Sequence, residues 1–177
     1  MRAPSPDLPD AEQIIRIFDS TFAIPEQTLL RGGASEPFYR PGRPHRIHFR
    51  EDFARSALHE VAHWCVAGDA RRQLADYGYW YSPDGRNAAQ QAAFFAVEAR
   101  PQALEALFCD ACGFLFAPSI DNVEALPLEA ELDAFASRIE SWRARFLHRG
   151  LPPRAGRFLS ALQHSEVRMA ATVEAYA

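Results

Sequence analysis

The sequence predicts a mostly helical α+β fold with one small sheet. Three observations carry that prediction. Apolar residues recur at helical spacing over most of the chain, only "HRIHFR" at 45–50 alternates like a strand, and Gly and Pro concentrate in residues 31–46. A chain of 177 residues, 48% of them apolar and 13 of them Phe, fits one domain over 1–177 with a real core.

Residues 1–9 are Pro-rich and expected to be loosely held. Asp10 stands as an N-cap before Ile14, Ile17, Phe18 and Phe22, which predicts a first helix. Residues 31–46 read as loop with one short strand at most, and 45–50 as an edge strand with His45 and His48 on one face. Residues 52–67 read as a helix stopped by Gly68. After the turn at Ser82-Pro83-Asp84-Gly85, residues 87–100 form a second long helix, which Pro101 kinks or replaces by a new one ending at Gly113. A charged amphipathic helix over 128–148 points Leu132, Phe135, Ile139, Trp142 and Phe146 inward. The prolines at 152 and 153 start a last helix.

The bulk properties exclude several functions. A net charge of −4 argues against direct nucleic-acid binding. All 19 basic residues are Arg, so no lysine base or Schiff base is available. Three cysteines, Cys65, Cys109 and Cys112, do not make a disulfide framework. The N-terminus has no signal-peptide core and no apolar run approaches the ~18 residues of a membrane span. These features predict a cytoplasmic protein with reduced thiols.

The chemistry lies in "ALHEVAHWC", residues 57–65, which contains His-Glu-x-x-His. One helical turn apart, His59 and His63 share a face and can reach one ion. The apolar stripe of Ala57, Leu58, Val61, Ala62 and Cys65 points elsewhere, so the histidine face meets a cleft, solvent or a second layer. A catalytic metal needs a third protein ligand. Glu98 is the candidate, a carboxylate in the apolar stretch "AAFFAVEARP" where an unpaired charge is costly. Two histidines and a carboxylate serve zinc hydrolases and Fe(II) oxygenases alike. In a zinc peptidase Glu60 is the general base; in an oxygenase it tunes or orients a neighbour. A non-catalytic, metal-stabilised binding module is the third reading.

The flanks are more specific than the motif. "ALHEVAHWCVAGDARRQLADYGYWYSPDGR", "VEARPQALEALFCDACGFLF" and "DNVEAL" resemble the bacterial elongation factor P hydroxylase family, most densely over 57–125, and "GLPPRAGRFLSAL" resembles it more loosely. The resemblance implies hydroxylation of a β-lysylated lysine side chain on elongation factor P, the protein partner. It implies a non-haem metal held in a zincin-like arrangement by His59, His63 and Glu98, with Glu60 also matching. Inserting oxygen into an unactivated C–H bond requires activated O2, which points to Fe(II); zinc, though able to occupy such a site, has no redox chemistry. The electron donor is not legible.

The substrate so implied ends in a long cationic side chain, which carboxylates and aromatic faces hold. "DYGYWYSPDGR" supplies both, and Asp76, Tyr79, Trp80, Tyr81 and Asp84 are the expected substrate contacts. Arg43, Arg46, Arg50, Arg55, Arg71, Arg72, Arg86 and Arg100 crowd the first hundred residues and predict a basic face that steers an acidic partner.

Overall fold

The computed structural model describes residues 8–78, 86–120 and 128–174, with side chains up to residue 165. The elements, in order, are α1 (Ala11–Phe22), β1 (Thr28–Ala34), β2 (Phe38–Arg40), β3 (His45–Arg50), α2 (Ala54–Val66), α3 (Ala88–Cys112), α4 (Glu129–Arg149) and α5 (Pro153–Glu174). Two short 3-10 turns, Arg71–Gln73 and Ala75–Gly78, follow α2. The fold is the mostly helical α+β class that the sequence predicts.

Local signals fix most boundaries. Asp10 caps α1 as expected: its carboxylate accepts from the Gln13 N–H at 2.7 Å, and the Asp10 N–H donates back to the Gln13 side chain at 2.9 Å. Asn87 and Gln90 make the same reciprocal pair at the start of α3. Gly113, at φ +74°, ends α3 in the left-handed conformation that glycine adopts without strain. Helix α2 stops at Val66, with extended backbone at Ala67 rather than a glycine cap.

Three expectations need correction. First, 45–50 is the central strand, not an edge: the order is β1-β3-β2, with β1 parallel and β2 antiparallel to β3. Its alternation reports one solvated face (Arg46, His48 and Arg50) over buried Ile47 and Phe49, and a solvated face is not a free edge. The missed strand β1 runs through Gly32, where an added Cβ would come 2.9 Å from the Glu51 carbonyl oxygen and from the Phe49 ring. The glycine marks close approach of backbone, not a loop. Second, His45 and His48 are three apart in an element of period two and take opposite faces. His45 meets the buried Tyr39 hydroxyl at 3.0 Å, while His48 stacks on the exposed Phe38 ring at 4.1 Å. Third, Pro101 does not open a new helix: α3 runs through it as one helix of 25 residues.

One continuous buried cluster runs from Ala11 to Leu162. Trp64 is fully buried at its heart, with the Phe18 and Phe22 rings at 5.2 and 4.9 Å. Helix α3 passes through this mass between α2, α4 and α5 and is enclosed on nearly every side from Glu98 to Cys109. Its polar residues there therefore need partners, and that requirement builds the site. The three cysteines are buried. No described helix is long and apolar enough to cross a membrane.

Candidate metal centre

His59 and His63 sit on the side of α2 that faces α3. Their side chains are 23% and 14% exposed, so the face meets a second layer with a narrow opening, one of the arrangements the helical wheel allows. The layer is the polar stripe of α3: Glu98, Gln102 and Glu105, at positions i, i+4 and i+7, all buried. Glu98 meets the two imidazoles and Gln102 rather than an arginine.

The three expected ligands converge. His63 Nε2 lies 3.1 Å from His59 Nε2, Glu98 Oε2 lies 3.3 Å from His63 Nε2, and Glu98 Oε2 lies 3.7 Å from His59 Nε2. A circle through these three atoms has a radius of about 2.0 Å, the bonding distance of imidazole nitrogen and carboxylate oxygen to zinc. The donor set also suits Fe(II). This group is capable of holding an ion as it stands.

Two residues that the sequence reading did not single out hold the triad in place. His59 Nδ1 donates to Glu105 Oε2 at 2.8 Å, which leaves Nε2 turned toward the other two donors. A carboxylate on the far nitrogen of a ligating histidine fixes its orientation and raises its basicity. The Gln102 amide N–H donates to Glu98 Oε2 at 3.3 Å and to the Ser119 carbonyl at 2.8 Å, while its oxygen accepts from the Ser119 N–H at 3.0 Å. Gln102 thus ties Glu98 to the segment after α3. The signal was present: in "EARPQALE" Glu98, Gln102 and Glu105 fall on one helical face, with Arg100 on the other.

The electrostatics fit a cation seat. Burial works against a charge on His59, but Glu105, helped by Glu98 and Glu60, outweighs it and lifts its pKa to about 10. Burial likewise opposes ionisation of Glu98, yet His63, His59 and the Gln102 amide bring it down to about 2. The His59 Nε2 position thus holds positive charge, as a proton or as a metal. Burial pushes Glu60 above its ordinary value, against the pull of His59 and His63. Glu60 belongs to the same electrostatic cluster without being one of the three converging donors.

A model of the elongation factor P hydroxylase family matches residues 17–175. The chain belongs to that family. It is also 41% identical over 155 residues to the elongation factor P lysine hydroxylase of Haemophilus influenzae, covering 85% of this chain and 86% of that protein. In this member of the elongation factor P hydroxylase family, the ion-capable group consists of His59, His63 and Glu98, the three residues expected as ligands.

Of the expected substrate contacts, Tyr79, Trp80, Tyr81 and Asp84 lie outside the described residues. Asp76 is described: it is exposed, and its carboxylate accepts from the Tyr39 N–H at 2.8 Å. Asp76 and Tyr77 both hold left-handed backbone, at φ 47° and 57°, which is unfavourable for residues other than glycine by about 1 kcal/mol each. The Asp76 bond and the stacking of Tyr77 on Tyr39 at 4.3 Å hold the turn in place. Several arginines of the expected basic face are engaged internally. Arg71 donates to the Tyr77 carbonyl, Arg72 pairs with Glu26 and Asp69, and Arg86 is buried between Gln91, the Ile120 carbonyl and the Phe94 ring.

Proposed function

We propose that this chain hydroxylates the β-lysylated lysine side chain of elongation factor P, using a non-haem metal and O2. The observation that carries the reading is the triangle of His59, His63 and Glu98 in a member of a hydroxylase family. These three residues would hold the ion, and a redox-capable ion such as Fe(II) supplies the activation of O2 that insertion into an unactivated C–H bond requires. The chain's own groups prepare the seat. Glu105 holds the proton on His59 Nδ1 and keeps Nε2 directed at Glu98 and His63. Gln102 holds the Glu98 carboxylate, and the enclosing α3 restricts water.

Glu60, poised by burial toward its protonated form, is the group we assign to moving a proton at this site. Burial raises the pKa of Tyr77, which precedes the aromatic segment, and Glu60 adds to that rise. That supports a path for the cationic substrate side chain along Asp76, Tyr79, Trp80, Tyr81 and Asp84, where carboxylates and ring faces recognise ammonium groups. A family of enzymes that act on a translation factor fits a cytoplasmic setting.

The test is mass spectrometry of elongation factor P from cells with the gene, without it, and with Glu98→Gln in its place. Gain of one oxygen on the modified lysine only with the intact gene is expected. Identical masses in all three cells refute the proposal. The zinc-peptidase reading predicts cleavage of the factor or of peptides instead, abolished by Glu60→Gln.

A further inference from the structure

Helices α2, α3 and α4 leave a cavity of about 220 Å³ between them, walled by His63 and Val66, by Val97, Arg100 and Pro101, and by Trp142. Most of this wall is apolar. Arg100 is the exception, and unlike Arg72 and Arg154, whose Nε atoms are also buried without an acceptor, it has no carboxylate partner among the described residues. Its Nε is buried and meets no hydrogen-bond acceptor. Its neighbour is the Trp142 ring, 5.5 Å from the guanidinium carbon to the ring centroid. Arg145 lies over the same ring at 5.0 Å, again without an ion pair among the described residues. Arg143, between Trp142 and Arg145 on α4, is by contrast paired with Asp110 and Glu140.

A ring face steadies a guanidinium but does not accept its N–H bonds. A partly buried arginine without an acceptor is costly, and an anion removes that cost. We propose that this cavity is a binding site for a small organic carboxylate, its charge on Arg100 and its hydrocarbon body against Val97, Pro101 and Trp142. Inorganic phosphate satisfies the charge but leaves the apolar walls empty. The cationic side chain proposed above as substrate is repelled by Arg100, so this site takes a different molecule. Because His63 lines the cavity and also belongs to the ion-capable triad, the bound carboxylate lies beside the candidate metal centre. The inference does not depend on the metal or on the hydroxylase reading.

The experiment titrates the metal-free protein with glutarate and with hexanoate, followed by calorimetry and tryptophan fluorescence. Inorganic phosphate and the neutral diamide of glutaric acid are the comparison arms. Saturable carboxylate binding with Kd at or below roughly 1 mM is expected, weakened about tenfold or more by Arg100→Gln. Ala96 is exposed at the cavity wall, so Ala96→Phe fills the site without touching the charge and should abolish binding. Absence of saturation by either carboxylate overturns the proposal, as does equal binding of phosphate or of the diamide. If Arg100→Gln fails to fold, Ala96→Phe decides: affinity equal to that of the unmodified protein overturns it.

Discussion

Glu105→Gln separates a positioning carboxylate from a bystander. Glutamine matches the volume of this buried residue and can still accept from His59 Nδ1, but it removes the negative charge 2.8 Å from the ring. Loss of such an outer partner lowers metal affinity about 10–100-fold, or ~1.4–2.8 kcal/mol. The pH dependence makes the prediction specific. In the metal-free protein His59 is held near pKa 10, above its ordinary value of 6.5, largely by Glu105. Metal must displace the proton held at Nε2, so the apparent affinity of the unmodified protein climbs with pH through neutrality and does not level until about 10. In Glu105→Gln the proton is held less firmly and the curve levels earlier. The deficit of the variant is therefore small in acid and widens as pH rises. Competition titrations with cobalt or zinc between about pH 6 and 9 measure both curves. Parallel curves, or equal affinity throughout, would refute the assignment of Glu105 as the group that sets the basicity of His59.

Glu98→Gln removes a converging donor rather than its support, and should cost more than 100-fold in metal affinity, beyond the range of outer partners, in the same titration. Glu60→Gln should retain the metal, by elemental analysis of anaerobically purified protein, while losing most hydroxylation of elongation factor P. The stability of the metal-free protein should fall in acid. Glu98 is held at about 2, below its ordinary 4.5, so its contribution is complete above about 4.5 and fades as pH drops toward 2, which urea melts in a pH series will follow. Trp64→Ala, which empties the aromatic cluster around Phe18 and Phe22, should destabilise by about 3–5 kcal/mol in the same melts.

The helices and the ion-capable triad were legible because their signals are local or chemically costly. Asp10 with Gln13 announces a cap, and a carboxylate inside "AAFFAVEARP" announces a partner. The sheet was not legible in the same way. β1 carries two adjacent glycines, whose purpose appears only once the Glu51 carbonyl is seen pressed against Gly32. β3 looked like an edge because solvation of a face and solvation of an edge leave the same alternation in sequence. Pro101 does not open a new helix, because a helix held by neighbours on almost every side continues through a missing N–H that would end an isolated one.

The supporting shell was missed for a different reason, and that reason is instructive. Glu105 sits in "QALEALF" as a single acid among apolar residues, and the sequence alone does not show that α3 has no exposed side along this stretch. On an enclosed helix every polar side chain must meet a partner, so Glu98, Gln102 and Glu105 cannot be judged one at a time. Their spacing puts them on one face, and two imidazoles one turn apart on α2 are what that face meets. Arg100, on the same helix, is only partly buried, and it is its Nε alone, sealed off without an acceptor, that the proposed anion would serve. Enclosure converts polar residues from surface noise into statements about what they bind, and enclosure is a property of packing that periodicity alone does not report.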